Sequence, residues 1–203
     1  MKHLKWSTQN TKLAKTDTIS FNLPAIEACP MAGICASVCY ATQGAYRYPK
    51  VKAAREFNFK LAKDNPELFE VYLLRDLKAT RKRSIRIHDS GDFFSQRYLD
   101  SWFLAARSFP DKQFYCYTKS LHLDWSLKPH NFVMVQSFGG KMDAAIDITK
   151  PNARIFATDE DRIKAGYQDG NKDDTLAQRG EILIGLVYHG GRNLTTVQKD
   201  VFK

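Results

Sequence analysis

Short apolar runs rich in β-branched and aromatic residues alternate along this chain with stretches of helical periodicity, and that alternation restricts the fold more than any other feature. Residues 18–24, 84–88, 113–118, 131–137, 153–158 and 181–189 read as six strands. After Pro49, Val51, Ala54, Phe57 and Leu61 recur at helical spacing. A second helix is expected from Asp64-Asn65-Pro66-Glu67, with Leu68, Phe69, Tyr72, Leu73 and Leu77 on its apolar face. Ser95 caps a third, which buries Leu99, Trp102, Phe103 and Ala106 and stops before Pro110. Shorter helical pieces are expected at 123–127 and 159–163, an extended lead-in at 1–17, and a long polar loop at 167–180. Strands separated by helices join as parallel β/α units with right-handed crossovers. All 203 residues are therefore expected in one α/β domain, either a doubly wound sheet or an open partial barrel. Both bind ligands at the carboxyl ends of their strands.

The loop after the first strand holds three of the four cysteines, Cys29, Cys35 and Cys39, in the spacing C-x5-C-x3-C. Thiolates suit zinc, copper(I) and iron–sulfur clusters. Zinc sites pair their ligands as closely spaced knuckles; this spacing is wider, and no histidine pair at finger spacing accompanies it. Three cysteines on one irregular loop can instead wrap one face of a 4Fe-4S cluster and leave its fourth iron for a ligand. An iron–sulfur cluster is thus the expected cofactor, with zinc as the alternative metal. Cys116, among aromatics in the third strand, is either a small buried hydrophobe or a fourth ligand to the same centre.

The loop after the second strand, His88-Asp89-Ser90-Gly91-Asp92, is expected to face the cysteines. As structure it is a glycine turn with Asp92 or Ser95 as a helix cap. As a site, Asp92 and the backbone of Ser90 and Gly91 hold the amine of a small-molecule ligand, or the acids hold a cation. Gln136 and Ser137 on the fourth strand would line the same pocket, with Tyr115, Tyr117, Lys119 and His189 as filling or rim.

Formal net charge is +9, which favours an anionic partner (nucleic acid, a phosphate-bearing cofactor or an acidic protein) or else a solvated basic surface. The alternative to a cluster enzyme is a non-enzymatic, metal-stabilised accessory protein that binds nucleic acid or a host protein through that surface. The densest basic run, Lys78-Ala-Thr-Arg81-Lys82-Arg83, follows a helix, where the dipole favours cations. Charges interrupt every apolar run before it reaches membrane-spanning length, and the basic N-terminus lacks an apolar stretch behind it. The expected location is cytoplasmic, where thiols stay reduced.

Asn10-Thr-Lys-Leu, Phe21-Asn-Leu-Pro-Ala, Cys29-Pro, Cys35-x3-Cys39-Tyr-Ala, Tyr46-Arg-Tyr-Pro and Ala54-Arg-x-x-Asn58 follow one another in the first third of the chain. With His88-x-Ser90-Gly91-Asp92-Phe and Tyr117-Thr-Lys-Ser120, they resemble the phage gene product 88 family. The resemblance implies a phage or prophage origin. A fainter likeness, at the level of fold, is to radical S-adenosylmethionine enzymes, which place a three-cysteine loop after strand one of a partial (β/α)6 barrel. That likeness implies such a barrel here, with S-adenosylmethionine held near Ser90-Gly91-Asp92. The chain departs from that family's C-x3-C-x2-C spacing and from its Gly-Gly-Glu turn.

Overall fold

A computed structural model describes residues 3–8 and 10–188 of the chain. The strands are β1 (Trp6–Ser7), β2 (Thr18–Phe21), β3 (Ser84–Ile87), β4 (Gln113–Thr118), β5 (Phe132–Ser137), β6 (Asn152–Phe156), β7 (Gln168–Asp169) and β8 (Ile184–Val187). The helices are α1 (Thr11–Ala14), α2 (Pro49–Asp64), α3 (Pro66–Ala79), α4 (Gln96–Ser108), α5 (Asp159–Lys164) and α6 (Thr175–Arg179). All eight strands form one sheet in the order β1-β2-β3-β4-β5-β6-β8-β7, and only β1 is antiparallel to its neighbour. From β2 to β6 the order follows the chain without the reversal of a doubly wound sheet. Among the described residues no helix is long and apolar enough to cross a membrane.

The structure corrects several expectations. The lead-in carries β1 and α1, and the polar stretch 167–180 contains β7 and α6. Residues 123–127 form turns rather than a helix, because the Trp125 ring packs on Phe93 and Phe103 and its Nε1 donates to the Ser120 carbonyl at 3.1 Å. No α-helix joins β4 to β5 or β5 to β6, so a regular sixfold β/α repeat is absent. Leu68 is exposed, and the helical piece expected at 159–163 is α5, capped by Thr158. His189, Gly190 and Gly191, at the end of the last expected strand, lie outside the described residues.

Strand alternation divides the sheet into two unlike faces. Ile19, Phe21, Ile85, Ile87, Phe114, Cys116 and Phe132 join Phe69, Leu73, Tyr98 and Trp102 of α3 and α4 in the main core. Ser20, Arg86 and Tyr115, adjacent across the sheet, lie on the other face. There Arg86 Nη1 and Tyr115 Oη donate to Asp174 Oδ2 at 2.7 and 2.9 Å, and Lys12 Nζ lies 3.0 Å from Asp174 Oδ1. Asp174 opens α6, whose Gln178 Nε2 donates to Thr18 Oγ1 and Ser84 Oγ at 2.9 and 3.0 Å. Thus α6 closes the amino ends of β2 and β3, leaving the carboxyl ends for a site.

The cysteine loop is fastened to that carboxyl edge through backbone. Leu23 N donates to Ser90 O and Asp92 N to Ala28 O, at 2.9 and 3.0 Å. On the other side, Cys35 N donates to Gly139 O and Lys141 N to Met31 O, at 3.1 and 3.0 Å. Such contact needs residues without Cβ: one on Gly33 would lie 2.7 Å from Gly140 C, and one on Gly91 would lie 2.5 Å from Leu23 Cβ. Gly91 also has φ +89°.

Two outcomes are expected. Asp174→Ala strands the buried Arg86 cation and should cost about 3–5 kcal/mol in denaturant unfolding. Burial pushes the Asp174 carboxyl up, but Arg86 and Lys12 more than offset it, leaving it below the usual carboxylate range. Its contribution is therefore complete above about pH 4 and lost as pH falls through the folded value, a loss that Asp174→Asn should remove from the acid-unfolding profile. Gly91→Ala should cost about 1–3 kcal/mol and speed the reaction of Cys29 with a thiol reagent, as the loop lifts from the sheet.

Candidate metal and ligand site

Cys29, Cys35 and Cys39 line one cavity of about 150 Å³ with Asp89, Ser90, Gly91, Asp92 and Ser137. The structure thereby brings together most residues singled out from the sequence. It does not bring Cys116, which is fully buried in the apolar core on the helix-packed face. Gln136 is likewise elsewhere: its side chain exchanges hydrogen bonds of 3.0 and 2.9 Å with the Asp147 backbone and pins the loop after β5.

The three loop thiols are free and partly exposed. Burial, and then the Asp92 charge, push Cys29 up to about 12, with Cys39 and Cys35 adding smaller contributions. Burial also raises Cys39. Without a metal the loop therefore holds Cys29 as a neutral thiol, and a metal would displace its proton. Among the described residues no three His, Cys, Asp or Glu side chains are gathered closely enough to hold a single metal ion.

The two acids of the β3 loop differ in what they have left to offer. Asp92 Oδ1 accepts from Thr118 Oγ1 at 2.6 Å and Phe93 N at 2.8 Å, and Oδ2 from Lys119 N at 2.8 Å. Its carboxylate ties the β3 loop to the end of β4. Asp89 is also buried, yet its Oδ1 has no hydrogen-bond partner among the described residues and lies 3.6 Å from Arg55 Nη2. Burial raises the Asp89 carboxyl, against the opposing charges of Arg86 and Arg55.

His88 decides which acid turns inward. It sits at φ +70°, an uncommon conformation for a residue with a Cβ. Its ring stays in the outer core, 4.9 Å from Phe93, with Nε2 2.9 Å from Tyr98 Oη. The break in alternation lets Asp89 follow Arg86 to the cavity side. Burial, aided by the Arg86 charge, pushes His88 down to about 3, so it is neutral at ordinary pH.

Arg86, Lys119 and Arg154 also line the cavity. Lys119 Nζ donates to Ser137 Oγ at 2.8 Å, the Arg86 guanidinium lies 5.2 Å from the Tyr117 ring centre, and the Tyr40 hydroxyl donates to the Asp89 carbonyl. Sequence reasoning passed over Arg86, although the signal was present: an arginine inside the apolar strand Ser84-Ile-Arg-Ile must meet a buried acid or a ligand. Ser90 is present as expected, but its hydroxyl donates to Leu23 O at 2.6 Å and anchors the cysteine loop.

No solved structure matches the chain. Its sequence is 34% identical over 102 residues to the Gene 88 protein of Mycobacterium phage D29, covering 45% of this chain and 42% of that protein. It is 34% identical over 102 residues to the Gene 88 protein of Mycobacterium phage L5, covering 45% and 43%. The chain thus spans less than half the length of these curated relatives. The family model described as Gene product 88 matches residues 3–195, and the chain belongs to that family.

Proposed function

We propose that the chain is an iron–sulfur protein in which Cys29, Cys35 and Cys39 hold a 4Fe-4S cluster beside a small-molecule site at the β3 loop. The observation that carries this reading is that three free thiols share one cavity with a buried carboxylate, Asp89, whose Oδ1 accepts no hydrogen bond among the described residues. Cluster thiolates bind separate irons, which suits cysteines spread around a cavity wall. When bound, a cluster with three protein ligands supplies an open iron and one-electron chemistry. Asp89 takes a donor group of the ligand, Arg86 and Lys119 balance negative charge, and Ile26, Val38, Ile155 and Leu186 exclude water.

The narrower form of the proposal is a radical-S-adenosylmethionine-like protein in a partial barrel, with S-adenosylmethionine as the ligand. Parallel strands in chain order, and a cysteine loop after the first of them, support it.

Anaerobic reconstitution with iron and sulfide should give a brown protein with labile sulfide. Alanine at Cys29, Cys35 or Cys39 should abolish it, and Cys116→Ala should not. A colourless protein carrying stoichiometric zinc would sink the cluster, and loss of it in Cys116→Ala would demand four ligands. On the loaded protein, Asp89→Asn should weaken S-adenosylmethionine about tenfold or more by equilibrium dialysis. Absence of binding by the parent chain would remove that cofactor and leave the cluster standing.

A further inference from the structure

A second hollow, of about 270 Å³, opens between the end of the cysteine loop and the start of α2. Arg47, Lys52 and Arg55 line it with Thr42 and Tyr46, and Glu56 is the carboxylate on its wall. Arg55 is held in place: its guanidinium lies 4.3 Å from the Tyr46 ring centre and 3.6 Å from Asp89. Arg47 and Lys52 are exposed and form no ion pair among the described residues.

Arg55 has Asp89 as its counter-ion, whereas Arg47 and Lys52 share the hollow with the single carboxylate of Glu56. Three cations around one hollow repel one another, and they stand at the amino end of α2, where the helix dipole is also positive. The first turn of α2 contains no acid, and Tyr48 at its N-cap supplies no side-chain hydrogen bond; Val51 N and Lys52 N donate to the Tyr48 carbonyl, and Pro49 has no N–H to offer. Tyr48, between Arg47 and the first residue of α2, is 64% exposed. Large aromatic faces left in water next to unpaired cations are the two components of single-strand nucleic-acid binding: charge for the backbone and a stacking surface for bases. A phosphorylated metabolite would use the cations and leave Tyr48 idle.

We propose that this hollow binds a backbone phosphate of a single-stranded nucleic acid through Arg47 and Lys52, with Tyr48 stacking on an adjoining base. The site is separate from the cysteine cavity and holds whether or not that cavity carries a cluster. The net charge of +9 speeds the approach of such a strand.

Fluorescence anisotropy of a labelled oligothymidylate, titrated with the full chain over a range of salt, tests it. Binding should weaken with salt, and Arg47→Ala and Lys52→Ala should each reduce the slope of log affinity against log salt by about 0.7. Tyr48→Ala should weaken binding about tenfold with the slope unchanged. These side chains are exposed, so unchanged melting and unchanged iron loading of each variant would separate this result from the fate of the cluster. No binding at low salt overturns the proposal, as does binding whose salt slope ignores Arg47 and Lys52. Retention of inorganic phosphate without any oligonucleotide binding overturns it in favour of a small-molecule site.

Discussion

A guanidinium placed inside a sheet must meet an acid there, and Arg86 meets Asp174 at 2.7 Å. The partner arrives from a segment far along the chain and also gathers Tyr115 and Lys12. One carboxylate therefore joins α1, β3, β4 and α6 on the face that carries no main core. It acts with the Gln178 bonds to Thr18 and Ser84 and with Ala177, buried against Tyr115, Val135 and Ala153, in seating the short α6 on the sheet. Because Asp174 occupies only one side of the guanidinium, the rest of Arg86 is left to line the cavity at the carboxyl edge.

The cysteine loop contributes Ala28 to the main core and Val38 and Ala41 as further buried apolar residues. Its shape comes from the sheet edge, through hydrogen bonds to the β3 loop on one side and to the Gly139-Gly140 turn on the other. Asp143 holds that turn by accepting from Gly139 N and Gly140 N, both at 2.8 Å. The thiols are thus aimed by backbone contacts between loops, which makes glycine at positions 33 and 91 as important to the site as the cysteines.

What could be read from the sequence was local. Strands β2 to β6 and helices α2 to α4 announce themselves by periodicity and caps, and the rule that parallel strands share one functional edge put the cysteines opposite Ser90-Gly91-Asp92. Elements held by distant partners could not be read: β1 pairs two residues with β2, and α6 is five residues long and fixed by Thr18 and Ser84. The choice between Asp89 and Asp92 was equally hidden. Both are acids beside a glycine, and only the backbone turn at His88 and the donors from β4 distinguish the occupied carboxylate from the available one. For Cys116, alternation in β4 was legible, but which face it joined depended on the helices packed there.

Arg55 belongs to the wall between the two hollows. It stacks on Tyr46 in the outer one and stands 3.6 Å from the Asp89 oxygen that accepts no hydrogen bond in the inner one. If both hollows take ligands, a change of charge on either side alters the demand on that one guanidinium, which would then couple them. Coupling of that kind is equal in both directions: whatever factor an occupant of the outer hollow imposes on the inner affinity, the inner occupant must return.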